Sequence, residues 1–107
     1  MKGKQAMEPK TFYIAGVQFR TEEERKALAN CQEGNILDLV PEPDNNFDTN
    51  AVKIMKDGFH FGYVPRRFSS EVAAAIECEI KLTCAIITLD PTAKTYEMCE
   101  VEIMEEF

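Results

Sequence analysis

Apolar and polar positions alternate along six short stretches of this chain, and two segments between them have helical spacing instead. Thr11-Phe-Tyr-Ile-Ala-Gly-Val-Gln18 is rich in aromatic and β-branched residues and reads as a first strand. Thr21-Glu-Glu-Glu24 then forms a capping box, in which the Thr hydroxyl accepts from an amide three residues on and Glu24 reaches back. The box predicts a helix to about Asn30, with Ala27, Leu28 and Cys31 toward the core and Gly34 as its stop. Asn35–Val40 is a second strand, ended by Pro41 and Pro43, which lack amide donors. Ala51–Lys56 alternates with Val52 and Ile54 inward, Asp57-Gly58 signals a tight hairpin, and Phe59–Val64 returns from it. A short helix is expected from Ser69 to Ile76, with Val72, Ala73 and Ile76 on one face.

The last two strands, Glu79–Asp90 and Thr95–Met104, form a long hairpin closed by Asp90–Lys94. Each slips by one residue. Ile80, Leu82, Cys84 and Ile86 share a face before Ile87 and Leu89 take over, and Tyr96 and Met98 give way to Cys99, Val101 and Ile103. Paired slips predict β-bulges, which bend strands. The fold class is therefore mainly β with two short helices: a small antiparallel β-barrel, OB-like or SH3-like, with the helices plugging its ends.

Length changes this picture little, because 107 residues suffice for one core. The polar first residues suggest a flexible tail over 1–10 and a single domain over 11–107. No apolar run approaches the roughly 20 residues of a membrane span and no export signal is evident, so a cytoplasmic location without membrane association is expected. The four cysteines lack zinc-type spacing and His60 is the only histidine, so reduced, mostly buried thiols are expected rather than a metal site. A net charge of −7 disfavours nucleic acid at first sight. Its distribution is uneven, however: five Glu and one Lys lie between Pro91 and Phe107, whereas four basic residues face one Asp between Thr49 and Ser70.

The loop Pro41-Glu-Pro-Asp-Asn-Asn-Phe-Asp-Thr-Asn50 holds the candidate chemistry. Its oxygen ligands alternate as in a calcium loop, but Thr49 and Met55 stand where an EF-hand needs Gly and Glu. A hydrolase built on Glu42, Asp44 or Asp48 lacks a second half elsewhere in the chain. His60 reads as a surface strand residue, and no phosphate-cradling or nucleophile motif is present. A non-enzymatic domain without cofactor or metal is expected. Asx-turns explain the loop as a connector, with Asn50 placed to make one before its strand. Phe47 is left as either a core anchor or an exposed contact platform.

Three runs taken in order, Ala15-Gly-Val-Gln-Phe19, Leu39-Val-Pro-Glu-Pro-Asp-Asn-Asn-Phe-Asp-Thr-Asn-Ala51 and Phe61-Gly-Tyr-Val-Pro-Arg66, resemble the HIRAN domain family. The resemblance spans roughly Phe12 to Leu89. It implies a modified OB-like barrel of the kind found at the N-termini of SNF2-type helicases and translocases, where the domain holds the 3′ end of single-stranded DNA. On that resemblance Phe19 and Phe47 stack on terminal bases, and Asp48 accepts a hydrogen bond from the 3′-hydroxyl, with Asn45 as a polar contact beside it. Tyr63 and Arg66 face backbone phosphate. Gln18 replaces a basic residue of the DNA-binding members, Phe19 and Phe47 lack the Tyr hydroxyl, and Tyr63 replaces His; Arg20 and Arg67 are candidates to compensate.

The expected partner is thus a single-stranded DNA 3′ end, in repair or replication-fork processing. The alternative is a protein-interaction accessory module that has lost DNA binding and acts beside a separate helicase or nuclease. A solvent-facing Phe47 flanked by Arg66 and Lys53 favours DNA, and a buried ring fronted by Glu42 and Asp44 disfavours it.

Overall fold

The computed structural model describes residues 7–106. Six strands, β1 (Lys10–Tyr13), β2 (Ile36–Pro41), β3 (Val52–Lys56), β4 (Phe59–Tyr63), β5 (Leu82–Leu89) and β6 (Cys99–Glu105), form one antiparallel sheet in the order β1-β6-β5-β2-β3-β4. The sheet curls into a half-barrel, and its two ends meet at a single bridge between Ala15 and Tyr63. There Ala15 N–H donates to the Tyr63 carbonyl at 2.9 Å and Tyr63 N–H donates back at 2.8 Å. Helix α1 (Glu22–Ala29) packs on β4, and α2 (Arg66–Glu77) lies against β3 and reaches β1 through the ring contact of Phe12 with Phe68. Alternate strand residues, among them Val52, Ile54, Cys84, Ile86, Val101 and Ile103, fill the interior.

Several boundaries differ from the pattern-based expectation. The first strand stops at Tyr13, because Gly16 takes a left-handed φ of 79° and turns the chain into a 3₁₀ segment, Val17–Phe19. Helix α2 begins at Arg66 rather than Ser69, since Pro65 occupies the N-cap with extended ψ and the chain turns helical immediately after it. Of the two slips, one is a bulge: Ile86 pairs with Val101 and Thr88 with Glu100, leaving Ile87 extra. The other is a 3₁₀ turn, Thr95–Glu97, that precedes β6. A second register shift, between Ile54 and Met55 opposite β4, has no signal in the alternation, because His60, Phe61 and Gly62 are all buried and β4 therefore has no polar face to read.

Of the polar tail expected over 1–10, residues 1–6 lie outside the described residues. Met7 is buried in the core and Lys10 opens β1, its ammonium 2.9 Å from Glu71. The capping box forms as expected, with Glu24 N–H donating to Thr21 Oγ1 at 3.1 Å. All four cysteines are free thiols; burial pushes those of Cys84 and Cys99 up to about 12. Among the described residues, no helix is long and apolar enough to cross a membrane.

Candidate nucleic-acid interface

The loop between β2 and β3 is held by its own polar side chains. Glu42 N–H donates to the Ala51 carbonyl at 2.8 Å and closes the neck of the loop. Asn45 Oδ1 then accepts from the amides of Phe47 at 2.8 Å and Asp48 at 3.0 Å, and Asp48 Oδ1 accepts from the Asn50 amide at 2.9 Å. These are successive Asx-turns. The second is made by Asp48, not Asn50, whose amide is the donor. Such a frame needs no apolar anchor, and Phe47 stands out from it 85 % exposed.

Five of the expected site residues come together. Asn45, Phe47, Asp48, Tyr63 and Arg66 line an open pocket of about 250 Å³, with Ala15, Ala51 and Val64 supplying the apolar remainder of its wall. Two closures bring them together: the Ala15–Tyr63 bridge at one side, and a hydrogen bond from the buried Ser69 hydroxyl to Asp48 Oδ2 at 2.7 Å at the other. Arg66, in the first turn of α2, is exposed and makes no ion pair or side-chain hydrogen bond among the described residues.

Charge in the pocket follows from these bonds. The Ser69 hydroxyl first, then the Asn50 amide and the nearby Arg66, hold the Asp48 carboxyl below its usual range, so it is ionised at neutral pH. Glu42 lies behind the pocket. Its Oε1 accepts from Asn45 Nδ2 and from the Tyr63 hydroxyl, both at 2.8 Å, and its Oε2 is 3.9 Å from Lys53 Nζ. The Asn45 and Tyr63 bonds lower its pKa, while burial and the same Glu42 contact raise that of Tyr63. Lys53 is thus turned toward Glu42, whereas Arg66 forms no ion pair among the described residues and acts on Asp48 only through space.

The remaining expected site residues, Gln18, Phe19 and Arg20, lie on the 3₁₀ segment after Ala15 and at its C-cap. Gln18 and Phe19 are exposed, Phe19 to 80 %, and neither lines the pocket itself. Arg20 is engaged internally: its Nε donates to the His60 carbonyl at 3.0 Å and its Nη2 lies 3.0 Å from Glu24. Arg67 lies over the Phe68 ring, 4.7 Å from its centroid.

His60, expected on the strand surface, is buried instead. Its Nε2 lies 2.9 Å from the Gly62 carbonyl oxygen, and its ring meets that of Tyr63 edge-on at 4.8 Å. The reason is the two-sided burial of β4, which no single-strand pattern reveals. Ser69 was equally invisible as a site residue, since its partner lies 21 positions away. Glu42 had a local signal: it precedes Asn45 by three residues, within reach of a turn contact.

Fold and site together define a small OB-like β-domain with an open pocket at one end, rimmed by a polar loop that presents an aromatic ring. The HIRAN domain family model matches residues 11–105, and the chain belongs to that family, which is known for DNA binding. Two solved structures share the fold. One is the crystal structure of the HIRAN domain of human HLTF, with a TM-score of 0.72 and 12 % identity over 91 % of this chain and 74 % of that one. The other is the crystal structure of a protein from Lactobacillus plantarum, with a TM-score of 0.76 and 19 % identity over 89 % of each chain. Comparison with curated proteins finds no match.

Proposed function

We propose that this domain binds single-stranded DNA and recognises a 3′-hydroxyl end, serving DNA repair or replication-fork processing. The observation that carries the reading is the 85 % exposed ring of Phe47 on the rim of a pocket that also holds the ionised Asp48 and the unpaired Arg66. Family membership supports the choice of DNA.

Each group has a distinct task. A base stacks on Phe47, a contribution of about 1–3 kcal/mol that any base can make because all have a π face. The exposed Phe19, on the segment leaving the pocket wall, offers a second platform. Asp48 carries two internal hydrogen bonds, but a carboxylate has roughly four acceptor positions, so capacity remains for a ligand hydroxyl. A terminal hydroxyl donates to it. A terminal phosphate brings only acceptors and negative charge, and is repelled. Arg66 meets an internal phosphate. Asn45, occupied by the two loop amides and Glu42, holds the loop in shape.

Fluorescence anisotropy with a labelled single-stranded oligonucleotide tests this, comparing 3′-hydroxyl and 3′-phosphate ends. Tighter binding of the hydroxyl end is expected, with affinity falling as salt rises by about 0.7 in log–log slope per phosphate contact. Equal affinity for both ends refutes end recognition, and absence of binding at low salt refutes the DNA reading altogether.

A further inference from the structure

Among the described residues, seven large hydrophobic side chains are exposed, and they fall into two groups. Phe19, Phe47 and Tyr96 lie on loops and 3₁₀ segments. Tyr13, Ile36, Ile87 and Met104 are exposed by 38 to 56 % and belong to β1, β2, β5 and β6. The register explains why these four share a surface. Cys99, Val101 and Ile103 point into the core, so Glu100, Glu102 and Met104 point out. Tyr13 pairs with Glu100, while Thr11, Glu102, Ala85 and Ile36 form one row across four strands; Ile87 is the bulge residue between. Helices α1 and α2 pack on β4 and β3 and leave this face uncovered.

The face is also acidic. Glu100 and Glu102 form no ion pair among the described residues; the partner of Glu100 is Thr88 Oγ1, at 3.4 Å. Uncovered apolar side chains among unpaired carboxylates suit a cationic partner, and they disfavour nucleic acid, an anionic membrane or a second copy of the same acidic face.

We propose that the outer face of β1, β6, β5 and the start of β2 docks a basic protein segment in extended conformation, while the pocket at the β2–β3 loop is left for nucleic acid. Residues 100, 102 and 104 alternate Glu, Glu and Met at a repeat of about 7 Å, which is the spacing of alternate residues in any extended chain. A segment presenting Lys, Lys and Leu on one side matches charge to charge and apolar to apolar.

The test is a titration of the ¹⁵N-labelled full chain with a peptide containing Lys-Ser-Lys-Ser-Leu, and with its Glu-Ser-Glu-Ser-Leu counterpart. Shifts at Tyr13, Ile36, Ile87 and Met104 with the basic peptide alone are expected. Glu100→Lys with Glu102→Lys should weaken that binding at least tenfold without weakening single-stranded DNA binding. Should the double variant fail to fold, Ile36→Ser, which keeps the charges, serves instead and should weaken the basic peptide alone. Three results overturn the proposal: no shifts at low salt, shifts centred on the Phe47 loop, or sedimentation showing that a second copy of the chain covers this face.

Discussion

Phe47→Ala separates folding from binding more cleanly than any other change in this chain. The ring is 85 % exposed, and the bonds that shape its loop use the backbone amide of Phe47, which alanine retains. Removing the ring therefore changes folding stability by no more than about 0.5 kcal/mol, as for other surface substitutions. Loss of stacking removes about 1–3 kcal/mol of binding to single-stranded DNA. With RT near 0.59 kcal/mol, that is a roughly 5- to 150-fold rise in Kd. Phe47→Tyr should retain the affinity and Phe47→Leu, apolar but without a π face, should lose most of it. Anisotropy with a 3′-hydroxyl oligonucleotide reads the binding, and a thermal melt reads the fold. An unchanged Kd in Phe47→Ala refutes the stacking role. A fall in Tm of more than about 4 °C, corresponding to roughly 1 kcal/mol in a domain of this size, would show that the ring supports the fold instead.

Glu42→Ala strips Asn45 and Tyr63 of a shared acceptor and should cost about 1–3 kcal/mol, read from the urea midpoint, with Glu42→Gln milder. Because folding lowers the Glu42 pKa, its contribution is complete above the ordinary value of 4.5 and is lost as pH falls through the folded one; the Gln variant should show a flatter acid limb. Gly62→Ala should destabilise the domain by about 3 kcal/mol, since a Cβ there collides with the Ala15 carbonyl and lies 2.6 Å from Ile14 Cγ2. Exchange of the Ala15 and Tyr63 amides should accelerate in the same variant. Burial first, and then Arg20, depress the His60 pKa below 6.5, so folding favours the neutral ring. Stability from this source is present above 6.5 and declines as pH falls below it; unfolding free energies from pH 7.5 to 5 should show that slope in the native chain and not in His60→Gln.

Local chemistry alone determined much of this protein. The capping box of Thr21 and Glu24, the Asp57-Gly58 turn and the alternation through Val52 and Ile54 act within a few residues, and each forms where the pattern placed it. Asn45, Phe47 and Asp48 were singled out by the family resemblance, whereas the Asx-turns that shape their loop close over two or three positions and are made by Asn45 and Asp48 rather than by Asn50. Other features depend on partners far along the chain. Ser69 is found only through its bond to Asp48, His60 is buried only because α1 covers the strand that carries it, and Gly62 is required only because Ala15 crosses it. Which of Arg66, Lys53 and Arg20 is ion-paired is decided by which carboxylate each one meets, Glu42 for Lys53 and Glu24 for Arg20. Periodicity reports which side of an element is wet; it carries no record of which distant residue dries the other side or occupies its charge.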